Sequence, residues 1–160
     1  MIPTPGSNTI GTSMAWGRVA QVEGLTMRQI LVDTSALCAL ADRSDRNHQS
    51  VVRFVRSQSE QTVLIVTDYV LDETLTWVKA RFEAQPAIEL GERIRSSDFC
   101  RFTRLTADDE MATWEIFKRY TDKEWSYTDC SCLAVMRKFG IDEALSTDQH
   151  FVQMGVVMLP

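Results

Sequence analysis

From Arg28 onward, apolar positions follow two alternating rhythms. Short runs rich in β-branched and aliphatic residues, "QILVD", "TVLIVT", "FCRFTRL", "EALSTD" and "VVML", have the length of strands. Between them lie longer stretches with helical spacing. "TSALCALAD" places Ala36, Leu37, Leu40 and Ala41 on one side, and "DRNHQSVVRFVRSQ" does the same with Val51, Val52 and Val55. "DYVLDETLTWVKARF" turns Val70, Leu71, Trp77 and Val78 inward and Lys79 and Arg81 outward. Pro86 suits the first turn of a helix through "PAIELGERIRSS", where its missing N–H is no loss. "TADDEMATWEIFKRY" opens on Thr106 and Asp109 in capping-box spacing and offers Met111, Trp114, Ile116 and Phe117 as its apolar face. A last long helix, capped by Ser126 or Thr128, carries Leu133, Val135, Met136 and Phe139 and stops at Gly140.

Strands alternating with helices predict an α/β fold with a parallel sheet. "TVLIVT" is apolar nearly throughout, as a strand covered on both faces must be. A length of 160 residues suits one domain, which we place over 27–160. The first 26 residues, rich in Gly, Ser, Thr and Pro, show neither rhythm and are read as a disordered or over-extended N-terminal segment. They also lack the charged and apolar parts of a signal peptide.

Composition narrows the function. With 44% hydrophobic and 24% charged residues the chain is globular, and no apolar run approaches the roughly 20 residues of a membrane span. The net charge of −5 gives no global basic field, which argues against a nucleic-acid coat protein. It leaves room for an enzyme whose acidic cluster touches nucleic acid locally. Cys38, Cys100, Cys130 and Cys132 lack CxxC spacing and read as free thiols of a cytoplasmic protein.

Most acids read as solvated helix faces, among them Glu83, Glu89, Glu92, Asp108 and Asp109. Four stand apart. Asp33 ends the first strand, Glu73 lies near the start of the helix after the second, Asp129 starts a helix, and Asp148 follows a late strand. In parallel sheets the ligand crevice lies at the carboxyl ends of the strands, which is where these positions fall. Carboxylates gathered there repel one another unless a hard divalent cation, Mg²⁺ or Mn²⁺, neutralises them. Taken singly, each has an ordinary account: Asp33 or Asp129 as a helix cap, Glu73 as a solvated partner of Lys79 or Arg81, and Asp148 as a turn residue.

Four blocks resolve the choice. "ILVDTSALCALADRSDRNH", "TDYVLDETLTW", "WSYTDCSCLAVMRKFGI" and "ALSTDQHFVQMGV" resemble, in order and spacing, the acidic blocks of PIN-domain ribonucleases of the VapC-like toxin group. The resemblance implies an α/β/α sandwich around a parallel sheet of four or five strands. It makes Asp33, Glu73, Asp129 and Asp148 both catalytic residues and Mg²⁺ (or Mn²⁺) ligands, with accessory hydroxyls at Thr34 or Ser35 and at Thr147. The implied activity is metal-dependent endoribonuclease cleavage, with two ions about 3.5–4 Å apart serving the entering and leaving oxygens. A homodimer and an antitoxin partner are implied as well.

The expected substrate is single-stranded or looped RNA. Arg43, Arg46, Lys79, Arg81 and Lys123 are candidate phosphate contacts. His48 lies away from the acidic blocks and reads as a packing or surface residue, while Trp77, Trp114, Trp125 and Phe117 read as core and dimer-contact residues. The alternative function is a PIN module that binds RNA for processing or regulation without toxicity. An aspartyl phosphatase is disfavoured because Ser35 stands where its second aspartate belongs, and a nicotinamide enzyme because no GxGxxG follows the first strand.

Overall fold

A computed structural model describes residues 27–160. The reading made for the first 26 residues lies outside them. Five strands form one sheet: β1 (Arg28–Val32), β2 (Thr62–Thr67), β3 (Cys100–Thr103), β4 (Glu143–Leu145) and β5 (Val157–Leu159). Their order is β3-β2-β1-β4-β5 and every pairing is parallel. The seven helices of the described residues are α1 (Thr34–Ala41), α2 (His48–Ser57), α3 (Asp68–Phe82), α4 (Ala84–Ser96), α5 (Ala107–Arg119), α6 (Tyr127–Phe139) and α7 (His150–Gln153).

The strand order reverses direction beside β1. From β1 the chain steps outward through β2 to β3, then returns past β1 to β4 and β5. Right-handed crossovers put α1–α4 on one face of the sheet and α5–α7 on the other. The carboxyl ends of β1 and β4 therefore flank a topological switch point, the usual crevice of an open α/β sheet. Val32 is in register with Leu145, so Asp33 and Ser146 leave the sheet side by side.

Ile30, Leu31, Val32, Leu64, Ile65 and Val66 in the central strands are almost wholly buried. They meet Ala36, Leu37 and Ala39 of α1, Val70 and Leu71 of α3, and Cys132, Val135 and Met136 of α6. The expected capping box of Thr106 with Asp109 is present, and so is the stop at Gly140, which adopts the left-handed conformation at φ 64° that glycine tolerates.

Three sequence expectations need correction. Trp77 points to the surface, and the inward side of α3 is completed by Thr74. On α5 the buried residues are Asp109, Thr113 and Ile116, whereas Met111, Trp114 and Phe117 are exposed. The helix turns its polar, β-branched side inward because Asp109 is not solvated: its carboxylate bonds the Thr106 amide and hydroxyl and receives Lys138 Nζ at 2.8 Å.

Three carboxylates tie elements together while ionised. The Ser44 hydroxyl and amide, then Arg81, hold Asp42 down at about 2. Arg28, by hydrogen bond and then charge, holds Glu143 below its usual range. Burial works to raise Asp109, but Lys138 and Thr106 outweigh it and leave it lowered. A carboxyl lowered in the folded state stabilises the fold fully above its unfolded pKa, about 4, and loses that contribution as pH falls through the folded value. The free energy of urea unfolding should hence drop between about pH 4 and pH 2, with a smaller drop in Lys138→Met. An unfolding free energy flat across that interval would contradict these assignments.

Candidate active site

The site grows from the β1–β4 edge. Asp33 caps α1: its Oδ2 accepts from the Ser35 amide at 3.1 Å, the Ser35 hydroxyl at 2.6 Å and the Ser146 hydroxyl at 3.0 Å. The two serine oxygens are 3.2 Å apart, Ser35 Oγ accepts from the Thr147 amide, and Ser146 Oγ accepts from the Asp148 amide. The Asp33 amide donates to the Leu145 carbonyl, closing the seam between the two strand ends. One carboxylate oxygen is thus held by three donors and the other is left for the crevice.

Burial raises the Asp33 carboxyl above its ordinary range. The Ser35 and Ser146 hydrogen bonds oppose that shift, and the negative charge of Asp129 adds to it. A buried carboxylate facing a second one favours an arriving cation.

Asp129 is the third residue of α6. Its Oδ2 accepts from the Ser126 amide at 2.8 Å while its own amide donates to the Ser126 hydroxyl, so Ser126, not Thr128, is the cap. Asp148 sits in the turn after β4, its Oδ1 accepting from the His150 amide at 2.9 Å. His150 Nδ1 then lies 3.3 Å from Asp129 Oδ2 and 3.4 Å from Asp148 Oδ2. Donor atoms of Asp129, Asp148 and His150 all fall within 4.8 Å of one another.

Glu73 stands to one side. Its carboxylate accepts from the Thr34 hydroxyl at 2.7 Å, which ties it to the residue after Asp33 but not into the three-donor group. Thr34 and Ser35 thus serve different acids, and the hydroxyl that reaches Asp33 from β4 belongs to Ser146, not to Thr147. Among the described residues no Lys or Arg pairs with any of the four acids. This is the donor chemistry that a hard divalent cation fits.

Of the expected phosphate contacts, Arg81 is engaged with Asp42 and Lys123 with Asp122, leaving Arg43, Arg46 and Lys79 exposed without an ion pair among the described residues. His48 is occupied elsewhere, its Nδ1 2.8 Å from the Ala39 carbonyl oxygen. The histidine at the site is His150, which sequence reading passes over. Its spacing two residues beyond Asp148 was the available signal.

The cysteines pack. Burial comes first in raising every thiol: Cys38 to about 12, Cys130 to about 11, Cys132 well above its usual range, and Cys100 upward. The negative charges of Asp33, Asp129 and Glu73 add to the rise at Cys132. All four thiols should resist alkylation at pH 7.5 in the folded protein and react in urea. Rapid stoichiometric labelling of native Cys130 or Cys132 would reopen the thiol reading.

Ser146 joins two of the acids. Ser146→Ala leaves the fold intact but removes one donor to Asp33 and the acceptor of the Asp148 amide. A loss of cleavage of roughly 10- to 100-fold is expected, the scale at which groups that orient metal ligands act. An unchanged cleavage rate would remove the serine from the site's design.

A PIN-domain signature matches residues 30–157. The 23S rRNA-specific endonuclease VapC20 of Mycobacterium tuberculosis is 35% identical over 128 residues, covering 80% of this chain and 95% of that protein. The crystal structure of VapC20, described as a Sarcin-Ricin loop cleaving toxin, aligns with a TM-score of 0.75 at 34% identity over 80% of this chain and 96% of that one. FitAcB of Neisseria gonorrhoeae shares the fold at 16% identity and a TM-score of 0.59, covering 82% of this chain and 96% of that one. With the acidic strand-end crevice in place on the matching sheet, the chain belongs to the PIN-domain family and is a VapC-like endoribonuclease toxin.

Proposed function

We propose that Asp33, Glu73, Asp129 and Asp148 form the active centre, that Mg²⁺ or Mn²⁺ is its cofactor, and that the substrate is a structured loop of ribosomal RNA. The observation that carries the site is the group of Asp129, Asp148 and His150 donors facing the buried, serine-held Asp33. A divalent cation bound there supplies an activated water and screens the charge of the phosphodiester. The chain's own residues do the positioning: Ser35 and Ser146 fix Asp33, Ser126 fixes Asp129, and Thr34 fixes Glu73. The ribosomal substrate follows from the 23S rRNA specificity of the VapC20 relative. A loop suits the site better than a duplex, because its backbone can be splayed toward the carboxylates.

The test is a synthetic hairpin carrying the sarcin-ricin loop, incubated beside a duplex and an unstructured RNA with Mg²⁺, Mn²⁺ or a chelator. A single cut in the hairpin that the chelator abolishes is expected. Cleavage indifferent to the chelator removes the cation. Binding without cleavage under either cation returns the non-toxic binding or processing module.

A homodimer and an antitoxin complete this reading. Met111, Trp114 and Phe117 on α5 supply apolar surface of the kind that partners cover. Light scattering on the pure protein tests the dimer directly.

A further inference from the structure

We propose that His150 is a ligand of the active-centre cation through Nδ1, so that the site is a mixed carboxylate–imidazole site that prefers Mn²⁺ to Mg²⁺. The inference rests on the cation reading above and goes beyond its four carboxylates.

The distances carry it. A neutral or charged histidine hydrogen-bonded to a carboxylate comes within about 2.7–2.9 Å when the bond is charge-assisted. His150 Nδ1 makes a longer hydrogen-bond contact with Asp129 Oδ2 at 3.3 Å and stands 3.4 Å from Asp148 Oδ2, nearly equidistant from both. Donors each about 2.1 Å from one ion lie about 3.0–3.4 Å apart at angles between octahedral and tetrahedral. The spacing matches that of neighbouring corners of a coordination shell.

The backbone presents the imidazole in this way. Asp148 Oδ1 accepts from the His150 amide, a turn that fixes the two side chains on the same side of the chain and leaves Asp148 Oδ2 turned to the ring. Asp129 is held by the Ser126 cap. His150 begins α7, and Phe151 beside it is wholly buried, which anchors the turn in the core.

An imidazole nitrogen changes which metal the site holds. Mg²⁺ takes oxygen almost exclusively, whereas the first-row divalent metals, from Mn²⁺ upward in affinity, bind mixed nitrogen and oxygen sites. His150 thus adds affinity for Mn²⁺ that it does not add for Mg²⁺.

The experiment is pulsed electron paramagnetic resonance of Mn²⁺ bound to the full chain, which reports directly coordinated nitrogen without any turnover. Protein made with ¹⁵N-imidazole histidine should show the coupling change isotope, and His150→Gln should lose it while His48→Gln keeps it. Calorimetry should show His150→Gln weakening Mn²⁺ by about ten-fold or more and Mg²⁺ by less than about three-fold. Thermal unfolding checks that the variant folds, and the wild-type and His48→Gln spectra together decide if it does not. Mn²⁺ bound with no nitrogen coupling overturns the His150 assignment and leaves the carboxylate site standing. No Mn²⁺ binding at all overturns both.

Discussion

Asp33→Asn is expected to abolish RNA cleavage, by a factor on the order of 10³, while making the metal-free protein more stable. Both results come from the same burial. The Asp33 carboxyl is raised above its ordinary range by desolvation, so in the folded chain its charged form is the disfavoured one. For a carboxyl with a raised folded pKa, stability grows as pH falls through the folded value and is diminished above it. Asparagine imitates the uncharged state at every pH and still accepts from Ser35 and Ser146 through its carbonyl oxygen. A gain of about 1 kcal/mol in unfolding free energy without divalent cation is the expected size for replacing a functional residue that costs stability. Saturating Mn²⁺ should narrow the gap, because only the aspartate form gains from the ion. A less stable Asp33→Asn, or one that still cuts, would remove Asp33 from the centre of the site.

Asp129 separates into two roles. Asp129→Asn keeps an oxygen that can accept from the Ser126 amide and loses the charge; cleavage should fall by at least about 10²-fold at nearly unchanged stability. Asp129→Ala loses the cap as well and should cost about 1 kcal/mol of stability in addition. Urea unfolding of the two variants beside their cleavage rates distinguishes the roles. Equal stability of both would mean that the capping box contributes nothing to α6, and full activity of either would mean that the carboxylate is not catalytic.

The parallel α/β fold and the positions of the four acids could be read from the chain because both depend on local patterns. An apolar strand that ends in an acid at a helix start declares its place at the sheet edge before any tertiary contact is known. What could not be read depends on which elements meet. Ser146 matters because Val32 and Leu145 are in register, a pairing between residues more than a hundred positions apart. His150 matters because the turn after β4 faces the first turn of α6. On α5, hydrophobic spacing pointed Met111, Trp114 and Phe117 inward, but buried Asp109, paired with the exposed Lys138, turns the helix about its axis and leaves those rings outside. The sheet has five strands rather than four because the three-residue β5 pairs with β4, a gain too short to be certain from its sequence alone.

The hydrogen bond from Ser146 to Asp33 joins residues 113 positions apart. On one side stands the beginning of the first helix; on the other, a turn that follows the fourth strand. A ribosome making this chain would have exposed Asp33 and Glu73 long before it added Ser146, Asp148 and His150. Until β4 and the turn after it are made, Asp33 stands without the seam that orders it. The seam at Asp33 therefore closes late, after β1, β2, β3 and the helices between them have been made.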